Sequence, residues 1–217
     1  MTAPRRESVR RCRVTDSDPM VVAARNAPID GERPDGARGP TPLSVGVVVW
    51  LASELMFFSG LFAAWFTLRA STKTWPPDGV ELATGRTALA TAVLVASSFT
   101  MHLAGGAAHR GDRRLALRWL ATTALLGALF IGNQAWEYAD APFRISSHAY
   151  GSMFFLMTGF HGLHVIGGLG FMGAVAWMIS GRGSRAPVAS TLEVCSYYWH
   201  FVDVVWVAMF TTIYLVK

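Results

Sequence analysis

AYGSMFFLMTGFHGLHVIGGLGFMGAVAWMIS, residues 149 to 180, runs for 32 residues without one Asp, Glu, Lys or Arg. As a helix rising 1.5 Å per residue it would reach about 48 Å, more than the roughly 30 Å hydrocarbon core of a bilayer. Apolar residues fill every face of that helix, so a soluble amphipathic reading fails, and the stretch is read as a membrane span.

Four more stretches of the same kind flank it. Residues 42–68 carry one charge, Glu54. Residues 86–108 are interrupted only by His102. Residues 115–137 are uncharged from Trp119 to Trp136, and residues 191–216 carry Glu193, His200 and Asp203. Each is long enough to cross a bilayer. The fold class that follows is an all-α membrane protein, a bundle of five transmembrane helices over residues 42–217. Short loops make neighbouring helices antiparallel. Composition agrees: 52% of the 217 residues are hydrophobic and 15% charged, with a mean hydropathy of +0.35. Soluble domains carry about 25% charged residues.

Residues 1–41 differ in kind. They hold eight arginines and six acidic residues without aromatic side chains. Such a segment cannot bury a core and reads as a disordered basic tail. Its longest apolar run, Met20 to Ala24, is too short for a signal peptide. Met20 offers a second start of translation. Cys12 and Cys195 have no paired spacing, so neither a disulfide framework nor a thiolate metal site follows.

The net charge of +5 is distributed unevenly. Fourteen of the nineteen basic residues fall in the tail and in the second and fourth loops, among them Arg110, Arg113, Arg114, Arg118, Arg182 and Arg185. The other side holds Arg69, Lys73, Arg86, Arg144 and Lys217. The positive-inside rule therefore places the N-terminus in the cytoplasm and the C-terminus outside. A basic balance of this origin implies no nucleic-acid partner. Trp75, Trp136 and Tyr138 fall near the outer interface and Trp119 near the inner one, as an aromatic belt requires.

Charged groups at membrane depth cost roughly 2.5–3.5 kcal/mol each on insertion scales, so their positions are informative. Glu54 lies twelve residues past Pro42 and Asp203 twelve past Thr191, about 18 Å from the inner end. His161 and His164, three apart, share a helical face, as do His200 and Asp203. Asn133, Gln134 and Glu137 cluster at the outer end of the third span. Three readings stand side by side: hydrogen bonds between helices, a proton relay, and a metal site. The paired Glu-x-x-His motif of di-iron bundles is absent. The glycines of the fourth span suit close helix packing, with Gly60/Ala64 and Gly170/Ala174 as small pairs four apart. No nucleophile, base and orienting acid stand together, so this chain alone suggests no catalysis.

Particular strings go further. Thr158-Gly159-Phe160-His161-Gly162-Leu163-His164-Val165 and Tyr198-Trp199-His200-Phe201-Val202-Asp203-Val204-Val205-Trp206 resemble the last two spans of cytochrome c oxidase subunit III. Ser53-Glu54-Leu55-Met56-Phe57-Phe58 resembles that family's glutamate-bearing helix. Trp75-Pro76-Pro77, Gly111-Asp112-Arg113, Gln134-Ala135-Trp136-Glu137-Tyr138 and Ala149-Tyr150-Gly151-Ser152 complete the order, so that the resemblance covers residues 42–217.

The resemblance implies a subunit without redox centres of its own. It implies packing against subunit I, which holds haem a and copper, alongside subunit II. It also implies bound phospholipid, a bacterial plasma membrane, and room for a larger respiratory supercomplex. Glu54 matches the family's buried reactive carboxylate, in support of proton uptake. His161, His164, His200, Asp203, Glu137 and Glu193 match polar residues that hold the bundle. The chain departs from the long form of the family, which has two further helices before the first span. It also has Gly105 and Gly106 where that form has a histidine pair. Quinol oxidase and nitric oxide reductase assemblies have related third subunits. Their aspartate in place of Glu54 makes the cytochrome c type the better match. A free-standing proton channel is the alternative of another class.

Overall fold

The computed structural model describes residues 42–77, 79–80, 82–181 and 188–216. The expected tail, residues 1–41, lies outside them. All regular structure among the described residues is helical. It comprises α1 (Pro42–Ser71), α2 (Thr84–His109), α3 (Arg113–Asp140), α4 (Ala149–Ser180) and α5 (Val188–Phe210), the last continued by a π-helical turn, Thr211–Leu215. All five are long and apolar enough to cross a membrane.

Most helices overrun their apolar windows by two or three residues, because their ends are set by caps rather than by hydropathy. The Asp112 carboxylate accepts a hydrogen bond from the Leu115 amide at 3.0 Å and starts α3 two residues before the expected limit. Gly111 supplies the positive φ of +77° that the tight α2–α3 turn needs. His148 Nδ1 accepts from the Gly151 amide at 2.8 Å and starts α4.

Four helices close a ring: α2 packs on α3, α3 on α4, α4 on α5, and α5 back on α2. The buried positions explain it. In α2 they are Thr87, Ala90, Leu94, Ser97, Met101, Ala104 and Ala108, with Ala107 beside the last. In α3 they are Ala116, Leu120, Thr123, Gly127, Phe130, Gln134 and Glu137. In α5 Leu192, Cys195, Trp199, Val202, Trp206 and Met209 follow the same alternation of three and four, as does the seam of α4 from Phe154 to Ile179. That 3.5-residue repeat is the seam of a left-handed four-helix bundle. The fifth helix, α1, lies outside the ring against α4 and α5, with only Phe58 and Trp65 buried among its described side chains.

The ring is filled by α5. Trp199 is fully buried and donates its indole N–H to Ser97 of α2 at 2.9 Å. It fits because two glycines face it. A Cβ on Gly127 of α3 would stand 2.6 Å from its ring, and one on Gly168 of α4 would stand 2.9 Å from it. These, not the expected pairs, are the close approaches around the tryptophan. Gly60 and Gly170 have nothing within 4 Å of a Cβ and lie on the open surface. Small residues four apart mark a smooth stripe, whereas close packing here is dictated by the size of the tryptophan opposite.

Candidate functional site

The charged and imidazole groups fall into separate clusters at different helix contacts. The first joins α1 to α4. His164 Nε2 lies 3.2 Å from Glu54 Oε2, both side chains being partly exposed, at 17% and 24%. His164 Nδ1 lies 2.7 Å from the Phe160 carbonyl. A carbonyl only accepts, so Nδ1 carries hydrogen and Nε2 is left to share one proton with the carboxyl. The pair is therefore either a neutral acid on a neutral imidazole or a carboxylate on an imidazolium. Phe58 packs edge-on against the imidazole at 5.1 Å. Ser53 plays no part, since its hydroxyl donates to Trp50 O within its own helix.

The second cluster joins α2 to α5. His200 and Asp203 share a face as their spacing requires, yet the observed link between them runs through Ser98 of α2. Its hydroxyl donates to Asp203 Oδ2 and lies 3.0 Å from His200 Nδ1. With its one proton on the carboxylate, the oxygen accepts from Nδ1–H. Sharing a face within α5 thus brings the two together only through a hydroxyl of the neighbouring helix. Ser98 was missed in the sequence. The signal was present, two adjacent hydroxyls (Ser97 and Ser98) in the middle of an apolar span.

His161 and His164 do not act together. Three residues in a helix turn the chain by about 300°, and at this contact the difference sends them to different neighbours. His161 is buried, stacked on Trp206 of α5 at 4.9 Å and edge-on to Phe130 of α3 at 5.9 Å. Trp206 donates to Thr91 of α2 at 2.9 Å. His161 thus belongs to the packing of the ring.

The third cluster lies where α2 begins and α3 ends. Thr87 donates to Glu137 Oε1 at 3.0 Å, and both residues are buried. Arg86 pairs with Asp140 at 3.4 Å, with its guanidinium 5.0 Å from the centre of the Trp136 ring. Glu193 stands apart from all three clusters. It is exposed and accepts from Tyr197 at 2.6 Å on the outward face of α5. Among the described residues no three His, Cys, Asp or Glu side chains converge as a metal site would require.

What these clusters can do is hold protons and bind helices together. Glu54 with His164 joins α1 to α4 at a half-open site, and Ser98 with His200 and Asp203 ties α2 to α5.

A family model described as cytochrome c oxidase subunit III matches residues 33–217. A protein of Nocardia farcinica named "Probable cytochrome c oxidase subunit 3" is 48% identical over 184 residues, spanning 82% of this chain and 90% of that protein. A protein of Mycobacterium tuberculosis with the same name is 47% identical over 187 residues, with the same coverage. The "Cytochrome c oxidase subunit 3" of Corynebacterium diphtheriae is 41% identical over 184 residues, again spanning 82% and 90%.

Proposed function

Because the chain belongs to the cytochrome c oxidase subunit III family, a multi-pass membrane subunit of an oxidase complex, we propose that it steadies the catalytic core and supports proton uptake through Glu54. In this reading its partners are subunits I and II. The complex reduces oxygen and pumps protons, and haem a and copper reside in the partner subunits. The complex sits in a bacterial plasma membrane, with the N-terminus of this chain in the cytoplasm and its C-terminus outside. Structural phospholipid lies against the bundle, and a respiratory supercomplex is a further level of assembly.

One observation carries the proton-uptake reading: Glu54 meets His164 at 3.2 Å with both side chains partly open. The carboxyl is open enough to exchange with water, and its imidazole partner offers a proton a second seat. The proposed role needs no metal at this site.

Two measurements test it. Pull-down of the chain in mild detergent should bring subunits I and II with haem a bands in the optical spectrum. Haem b or o bands without haem a would instead favour a quinol oxidase. Glu54→Gln should leave assembly intact and shorten the number of turnovers before the oxidase inactivates. A normal working life in that variant counts against the role of Glu54.

A further inference from the structure

Five buried side-chain polar atoms at one end of the bundle make no well-formed hydrogen bond to protein: Trp65 Nε1, Trp75 Nε1, Arg86 Nε, and Glu137 Oε2 and Tyr214 Oη, whose side chains are neighbours. A buried polar atom without a partner is costly, and such a cluster favours a partner from outside the chain. Two cavities open at the same end. The larger, of about 270 Å³, is lined by Pro76, Leu82, Thr84, Tyr150 and Tyr214, among others. The smaller, of about 60 Å³, is lined by Leu82, Arg86, Glu137 and Asp140, among others. Leu82 is the wall common to both. A water molecule takes about 30 Å³ in the liquid, so both have room for water, and each is lined by polar groups able to hold it.

We propose that Glu137 is a proton-exchanging carboxyl, served by water in these two cavities and reached from the aqueous phase at the end of the bundle where α1 joins α2. The step is a simple one. The carboxyl O–H passes its proton to a cavity water, leaving a carboxylate and a hydronium, and recovers it by the reverse transfer. Oε1 is held by Thr87 at 3.0 Å, which fixes the group, while Oε2, beside the Tyr214 hydroxyl, makes no well-formed hydrogen bond and is the oxygen placed to exchange.

The groups facing Glu137 permit both states. Arg86 and Thr87 come from α2, Tyr214 from the π-helical turn, Tyr150 from α4, and Asp140 and Tyr138 from its own helix. Arg86 is the cation among these groups, and its guanidinium already meets Asp140 and Trp136. Glu137 is thus not locked as the anion of an ion pair. The site is separate from Glu54 and His164, which sit at mid-helix on the α1–α4 contact, and it rests on none of their properties.

Infrared difference spectroscopy on the intact oxidase, stepped in pH in ordinary and heavy water, tests this. The expected result is a titrating carboxyl band that disappears in Glu137→Gln and shifts at once in heavy water. Wild-type bands unchanged by the substitution would overturn the proposal. So would a Glu137 band that keeps its ordinary-water frequency for hours in heavy water. Leu82→Trp gives a second reading that leaves Glu137 in place. It narrows both cavities, so deuterium should reach the band at least an order of magnitude more slowly. Exchange at the wild-type rate in that variant would also refute the water route.

Discussion

Helices α1 and α5 are both membrane spans, and they obey opposite rules. The span in α1 has a mean hydropathy of 1.9 with 6% of its window buried, whereas that of α5 has 1.2 with 56% buried. The more apolar helix is the less buried, the reverse of a soluble protein. Lipid chains solvate Leu, Val and Phe as well as a protein interior does, so there is no hydrophobic reason to bury them. What must be buried is what lipid cannot solvate: the Trp199 and Trp206 indoles with their N–H donors, Asp203, and the hydroxyls they meet on α2. Hydropathy in this family of spans reports exposure to lipid, and polarity reports the core.

The sharpest break of that contrast is Trp199→Ala. It removes the side chain that fills the ring between Gly127 and Gly168 and leaves a void that lipid cannot reach. A loss of about 3 kcal/mol is expected, read as a large fall in the thermal stability of the purified complex. Next is Gly127→Ala, whose Cβ would fall 2.6 Å from the Trp199 ring. Overpacking by one methyl should cost about 1–3 kcal/mol. The same change at Gly170, where nothing lies within 4 Å, should be silent in the same melting experiment. Asp203→Leu strands the Ser98 hydroxyl that links it to His200, and about 1–2 kcal/mol should be lost. A reduced yield of intact complex on native gels would register it, and a normal yield would contradict it. Smallest is Met56→Ala on α1, a side chain 77% exposed. Its effect on melting should stay within about 0.5 kcal/mol. A large loss there would mean that another protein, rather than lipid, covers this face of α1.

The five spans were legible because hydropathy and length alone decide them. The ring was not. In a lipid-facing helix the outward and inward positions are both apolar, so the alternation from Thr87 to Ala108 or from Leu192 to Met209 leaves no hydrophobic stripe to read. Spacing also told which residues share a face but not which helix that face meets. His161 and His164 looked like one pair, yet one packs on Trp206 and the other reaches Glu54. Glu54, His200 and Asp203 were recognisable as candidates from their charge at depth. Ser98 and Thr87 were passed over, because a hydroxyl in a membrane helix commonly bonds back to its own turn, as Ser59 and Thr67 do here.

Arg69, near the end of α1, donates a hydrogen bond to the Val216 carbonyl at 2.9 Å, just beyond the π-helical turn that ends the last helix. A ribosome delivers these two residues at opposite ends of the synthesis of the membrane domain. During biosynthesis α1 is made before α4 and α5, the helices it packs against, and its apolar surface suits it to that wait in lipid. The much less apolar α5 follows the other four helices, which are already made and can receive its polar groups. The Arg69 link can form only at that moment, so it acts as a clasp that closes when translation of the bundle is complete.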